Sequence, residues 1–366
     1  MTAMTLSTIE FKQNQRAILT RPSREQSEMR TDDLLWLDKN ENMDPTYLAF
    51  LQQVIAKVPA KALSTYPDCH ALYKKLAEFL EVPINQLIIA AGSDGIIRAV
   101  YEAFVEPGDV VIYTNPTFAM YEVYTKIVGA KAVELAYEAS SDGPVLRAET
   151  VIDAINTAKP KLVCLANPNS PSGTVFSLAD MTAIISAASA VQAVILIDEA
   201  YYPFHEVTVL PLVAEFSQLI VARSFSKAWG CAGIRLGYGV ASKALSETLH
   251  KVRPMYEAGA LSFVIAERLL DFNVQMLESV QRLNEGKEYF LAEMRKLGFK
   301  TLITAGNFLH VAFGEHADRV HAVLRDKVLY RNNFSHPSLA GFSRFSATTR
   351  EVFAPVVEWI KSIPSL

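Results

Sequence analysis

Between residues 80 and 240 the chain repeats one pattern. Short apolar runs alternate with stretches whose apolar residues recur at helical spacing. The runs are 87–90, 110–113, 131–135, 162–166, 194–197, 219–222 and 236–240. Each is too short for a helix and reads as a buried strand. Between the first two, Ile96, Ile97, Val100 and Phe104 fall on one helical face, so Gly92-Ser93-Asp94-Gly95 lies between a strand end and a helix start. Strands and helices in this alternation predict an α/β fold, a mostly parallel sheet covered on both faces. After Lys251-Val252-Arg253-Pro254 the pattern changes to a long helical region over 261–297, then strand-like 301–303 and 308–312. This predicts a smaller α+β unit. The first forty or so residues are polar and weakly periodic. The expected organisation is therefore an arm over 1–43 packing on the small unit or on a neighbouring subunit, a large domain over 44–254, and a small C-terminal domain over 255–366.

Composition narrows the function classes. The 366 residues are 50% hydrophobic and 20% charged, enough to bury a sizeable core. A formal net charge of -4, with no long run of Lys and Arg, provides no footprint for nucleic acid. No segment approaches the length of a membrane span, and residues 1–16 lack the apolar stretch of a secretory signal, so a cytoplasmic protein is expected. Cys69, Cys164 and Cys231 are far apart and show neither metal-ligand nor disulfide spacing. They are expected to be reduced thiols, and no metal site is expected.

The densest chemistry lies in Arg223-Ser224-Phe225-Ser226-Lys227-Ala228-Trp229-Gly230 and the continuation through Arg235 to Tyr238. This stretch leaves one strand and enters the next carrying two hydroxyls, an amine and a guanidinium. A lone lysine would read as a solvated surface residue. Here an amine beside an arginine is placed to act as a nucleophile, and Ser224, Ser226 and Arg235 suit a phosphate dianion. Asp198 ends the apolar run 194–197, at the carboxyl end of a strand where open α/β sheets bind ligands. A buried carboxylate there calls for a cationic partner, unless it merely caps a helix. Alternation along the strand turns Glu199 to the other face. Gly92, Ser93 and Asp94 supply backbone N–H groups at a helix start, a geometry suited to phosphate.

Ser-x-Ser-Lys followed eight residues later by Arg235 resembles the lysine motif of fold-type I pyridoxal 5′-phosphate (PLP) aminotransferases, most closely the histidinol-phosphate aminotransferase family. Further motifs follow in that family's order over nearly the whole chain: Tyr66-Pro67-Asp68, Asn115-Pro116-Thr117-Phe118, Asn167-Pro168-Asn169-Ser170-Pro171-Ser172-Gly173 and Gly341-Phe342-Ser343-Arg344. The resemblance implies the aspartate aminotransferase-like fold and PLP carried on Lys227 as a Schiff base. Ser224, Ser226, Arg235 and the Gly92-Ser93-Asp94 turn would hold the cofactor's phosphate, Asp198 its pyridine nitrogen and Tyr201 its phenolic oxygen. Phe118 stands where the family usually has a tyrosine stacked on the ring. Ser170 stands where it has an asparagine reaching the phenolic oxygen, and Pro171 matches a proline that is often cis. The tyrosine matching Tyr66 reaches the phosphate across a dimer interface, which implies a homodimer with shared active sites. Arg344 and Arg331 match arginines for an anionic substrate group; Tyr256, Asn42 and Asn307 are further substrate-side candidates, and residues 37–42 match a segment lining the site. The arm's Pro-Tyr pair has no counterpart at Leu19-Thr20-Arg21-Pro22-Ser23, and Phe345-Ser346-Ala347-Thr348 replaces Ile-Thr-Val-Gly.

The expected activity is transfer of an amino group between an amino acid or amino phosphate and a 2-oxo acid, with glutamate and 2-oxoglutarate as one pair. A decarboxylase or lyase on the same scaffold, or a non-catalytic relative of it, is the alternative. A nucleotide-dependent dehydrogenase would need G-x-G-x-x-G after the first strand, and residues 87–99 lack that spacing.

Overall fold

The computed structural model describes residues 30–364. Seven strands form the main sheet: β1 (Leu87–Ala90), β2 (Val110–Asn115), β3 (Lys131–Ala136), β4 (Leu162–Ala166), β5 (Val194–Asp198), β6 (Leu219–Ser224) and β7 (Gly237–Ala241). Their spatial order is β1-β7-β6-β5-β4-β2-β3. Every pair is parallel except those made by β7, which runs antiparallel to both β1 and β6. The exception has a local cause. Helices Ser93–Phe104, Met120–Val128, Ala148–Ala158 and Leu178–Ala190 carry the chain back across the sheet between the strands from β1 to β5. Only a hairpin loop, closed by Phe225 N donating to Leu236 O at 3.1 Å, separates β6 from β7.

Strands β4 to β7 are buried along their whole length, which is why they read as continuous apolar runs. Their side chains alternate between two cores. Ile112, Val163, Ile195 and Ile197 pack on one face, and Val111, Cys164 and Leu196 on the other with Ile97, Val100 and Tyr121. Strand β3, at the edge, has no buried residue.

The three strands Lys300–Leu302, Phe308–Ala312 and Phe342–Ser346 form a separate antiparallel sheet. Leu309, Val311 and Phe345 on one of its faces pack with Phe290 and Phe353 from helices Asn273–Lys296 and Arg350–Lys361. The helical region expected over 261–297 divides into Ala260–Leu269 and Asn273–Lys296 about a short 3-10 turn, Leu270–Phe272. Ahead of both units, Leu35–Trp36 pairs in parallel with Val328–Leu329, and Leu37 O accepts from Ser346 N at 2.8 Å. This segment delivers residues 38–42 to the junction between the two sheets. The rest of the expected arm, residues 1–29 with Leu19 to Ser23, lies outside the described residues.

Candidate active site

The carboxyl ends of β1, β2, β4, β5 and β6 open on one side of the sheet, the crevice in which α/β proteins bind ligands. A cavity of about 230 Å³ lies there, lined by residues that follow all five strands. Two close backbone approaches build one end of it. At Gly237 a Cβ would stand 2.3 Å from Ser93 N and 2.4 Å from Gly92 C, so only glycine lets the turn after β1 sit on the start of β7. At Gly92, with φ +83°, a Cβ would meet Arg235 Nη2 at 2.8 Å. The helix Ser93–Phe104 begins at that turn, and its N-cap residue, Gly92, has no side chain to cap the first-turn amides. The amide donors of its first turn, Ser93, Ser226 and Arg235 therefore share one corner of the cavity. Ser224 Oγ accepts from Ser226 N at 3.0 Å, and Arg235 Nη1 donates to Ser226 Oγ at 3.4 Å. Lys227 points into the same cavity, its Nζ donating to Lys39 O at 2.9 Å and lying 5.7 Å from the Tyr201 ring centroid.

Asp198, 5% exposed, closes the cavity floor. Its Oδ1 accepts from Ala200 N at 3.0 Å and its Oδ2 from the Tyr121 hydroxyl at 3.3 Å. No cation pairs with it among the described residues. Burial pushes its pKa up to about 6, although both hydrogen bonds favour the carboxylate. Glu199 points to the other face and is satisfied there. Arg223 donates to it from Nε at 3.0 Å and Nη2 at 2.9 Å, and the Thr208 hydroxyl and Val209 N donate as well. Adjacent acids thus differ completely: one is paired inside the protein, and the other awaits a positive charge.

Tyr201 Oη accepts from Asn40 Nδ2 at 2.8 Å. Asn40 is held in turn by Ser346 Oγ, which accepts from its N–H, and by Asn307 Nδ2, which donates to its carbonyl at 2.9 Å. Phe118 and Ser170 line the cavity wall, and Ser170–Pro171 is cis. Asn169, fully enclosed, ties their two loops together by accepting from Thr117 Oγ1 at 2.6 Å and donating to Pro116 O at 2.9 Å.

Not every expected residue faces the cavity. Asn42 donates instead to Ala228 O and Ser279 Oγ and is a buried brace between segments. Asn307 is also enclosed and acts on the site only through Asn40. Tyr66 is 78% exposed and stacks on Tyr256 with ring centroids 4.5 Å apart, so neither enters this chain's own cavity. Arg344 is buried beside Tyr201 and Phe308, with Nη2 donating to Asp38 O at 2.8 Å. Arg331 is exposed and is its backbone bridge partner. Neither guanidinium has a carboxylate in an ion pair among the described residues. The structure adds Tyr121 to the site and singles out Asn40 within it. Asn40 lies inside the matching segment 37–42. Tyr121 falls three residues after Phe118, at the start of a helix, which is the only hint the sequence holds.

An amine, an uncompensated buried carboxylate and a phosphate corner around one cavity fit PLP in its three polar features, namely aldehyde, pyridine nitrogen and phosphate. Fold and site together define a PLP-dependent enzyme of the aspartate aminotransferase-like fold. Residues 32–360 match the family Aminotransferase class I and II. The chain is 34% identical to the histidinol-phosphate aminotransferase of Caldanaerobacter subterraneus subsp. tengcongensis, over 83% of this chain and 85% of that protein. It is 32% identical to that of Thermoanaerobacter pseudethanolicus, over 89% and 92%. The crystal structure of the Sinorhizobium meliloti histidinol-phosphate aminotransferase in complex with pyridoxal-5′-phosphate superposes with a TM-score of 0.76, covering 90% of this chain and 91% of that one at 21% identity. The chain belongs to the class I and II aminotransferases, within the histidinol-phosphate aminotransferase-like group. It is a PLP-dependent transaminase. Among the described residues no helix is long and apolar enough to cross a membrane.

Proposed function

We propose that Lys227 carries PLP in this cavity and that the protein transfers the amino group of an anionic amino donor to a 2-oxo acid, glutamate and 2-oxoglutarate being one pair. The names of its relatives make histidinol phosphate the first donor to try. The observation that carries the reading is the buried carboxylate of Asp198, without a cation among the described residues, in the same cavity as the Lys227 amine. Bound PLP supplies an electron sink for negative charge developing at the substrate Cα. Asp198 holds the proton on the pyridine nitrogen that keeps the sink open. Tyr201, oriented by Asn40, donates its hydroxyl proton to the phenolic oxygen. The Ser93 and Asp94 amides, Ser224, Ser226 and Arg235 would hold the phosphate, and Phe118 and Ser170, on the cavity wall, would lie against the cofactor. The Lys227 amine would serve as the base that moves a proton between the substrate Cα and the cofactor's C4′. Arg344 and Arg331 hold the substrate's carboxylate or phosphate.

Residues 44–254 would then serve as the cofactor domain and 255–366 as the small domain, with 1–43 as the arm. Exposed Leu63, Tyr66, Met255 and Tyr256 form the sort of apolar surface that a partner covers. We read it as part of the interface of a cytoplasmic two-fold homodimer in which Tyr66 reaches the partner's cofactor phosphate.

Reduction with borohydride tests the assignment. The expected result is a pyridoxyl group on the peptide containing Lys227, and a visible absorbance that glutamate or histidinol phosphate bleaches to the pyridoxamine form in the unreduced enzyme. Protein that retains no cofactor absorbance after incubation with PLP overturns the proposal. Loss of carbon dioxide from the donor with no dependence on a keto acid would establish the decarboxylase alternative.

A further inference from the structure

Three side chains stand in one row across the small sheet. His310 is the register partner of Arg344, and Arg344 bridges to Arg331 on its other side. Directly opposed residues of antiparallel strands project from the same face, with Cβ atoms about 4.5–5.5 Å apart. Arg344 is thus flanked by a guanidinium and an imidazole. His310 is 0% exposed, and neither ring nitrogen has a hydrogen-bond partner among the described residues. Arg344 Nε, also buried, has none. Phe308, Phe334 and Phe342 fence the imidazole with ring centroids 5.7, 5.8 and 6.3 Å away. Burial, helped by the Arg344 charge, lowers the His310 pKa to about 3, so one ring nitrogen is an acceptor throughout the neutral range. An unused acceptor and an unused N–H donor occupy neighbouring positions. Each is costly when left alone, and they are complementary.

We propose that His310 is a positioning residue for the substrate-binding arginine: its neutral ring nitrogen takes the Nε–H of Arg344 when the guanidinium turns from Asp38 O toward the substrate's anionic group. The two terminal nitrogens of Arg344 are then left for the anion in a fixed, bidentate orientation. Phe308 and Phe342, also close to the imidazole, offer Nε no acceptor, and His310 is the residue directly opposite Arg344. The inference rests on the reading of Arg344 as the residue that meets the substrate anion.

Calorimetric binding of succinate and of inorganic phosphate to the holoenzyme, with saturation kinetics for the amino donor, tests it in His310→Leu, His310→Gln and Arg344→Ala. His310→Leu should weaken probe binding about tenfold, the loss of one hydrogen bond to a charged group. It should raise the donor KM by a similar factor while kcat stays within about twofold, the pattern of lost binding with chemistry intact. Its melting temperature should equal or exceed that of the wild type, since an apolar side chain replaces an unpaired polar one. The amide oxygen of His310→Gln should restore most of the binding. If Arg344→Ala loses binding and His310→Leu does not, the inference falls and the reading of Arg344 stands. It also falls if His310→Leu lowers the melting temperature and glutamine restores nothing, which marks a packing role. Wild-type enzyme that binds neither probe, or Arg344→Ala that binds like the wild type, refutes the reading of Arg344 itself.

Discussion

The neighbours Asp198 and Glu199 show how one position along a strand decides a carboxylate's role. Glu199 spends its charge on Arg223 inside the protein. Among the described residues Asp198 has only neutral donors, and its burial raises the pKa from 3.8 to about 6. Stability contributed by the protonated acid is therefore complete below pH 3.8 and is lost as the pH rises through about 6. The rise corresponds to about 3 kcal/mol as an upper bound. In the cofactor-free protein, Asp198→Asn should accordingly be more stable than the wild type at pH 8 by about 1–3 kcal/mol, an advantage that shrinks toward pH 4. Thermal unfolding across that range, without PLP, measures it. The holoenzyme should show the opposite order, because a pyridinium would pair with the carboxylate that asparagine lacks. A wild type at least as stable as Asp198→Asn in the cofactor-free state at pH 8 would mean that the carboxylate is satisfied without a cationic ligand.

At the level of elements, the hairpin between β6 and β7 accomplishes what neither strand shows by itself. By returning β7 between β6 and β1, it brings the Lys227 loop against the turn at Gly92. Gly237 is the contact point, and all three of its nearest neighbours are backbone atoms, which cannot swing aside. Gly237→Ala should cost about 1–3 kcal/mol of stability, the usual range for overpacking. It should weaken PLP binding well beyond the effect on folding, because the displaced groups are the phosphate donors. Titration of the cofactor-free variant with PLP, alongside its melting temperature, separates the two. The seven strands were legible to within two residues because buried parallel strands are written as unbroken apolar runs between turns. The antiparallel sense of β7 was not. An apolar run carries no direction, and what settles it is the short return over residues 225–236, a loop with one 3-10 turn, Ala232–Ile234, too short to cross the sheet. Asn42 and Asn40 show the same limit at short range. Both lie in the matching segment 37–42, and the structure turns Asn40, with φ +56°, toward Tyr201 and Asn42 toward helix Asn273–Lys296.

On the scale of the whole molecule, the site gathers parts from segments hundreds of residues apart. Lys39, Asp198, Lys227 and Arg344 meet where the two sheets adjoin. Tyr66 stays outside its own chain's cavity, so the proposed dimer has a sharp consequence. Lys227→Ala subunits lack the amine and Tyr66→Ala subunits lack the hydroxyl, yet a mixed dimer with shared sites contains one intact site. Random exchange of equal amounts should restore about a quarter of all sites to wild-type form. Activity of the refolded mixture above the mean of the two parents shows the sharing. Activity equal to that mean shows that each subunit's site is complete alone.

The chain by itself determined the α/β class, the strand positions, the lysine motif and the acid that ends β5, because these are local: they depend on runs, periods and neighbours in sequence. Tertiary structure alone decided that Asn40 orients Tyr201, that Tyr121 supports Asp198, that Asn307 acts at one remove, and that His310 stands unpaired beside Arg344. Those relations depend on which strands lie side by side and in what register. Register is fixed by packing across the whole molecule, and no single segment carries it.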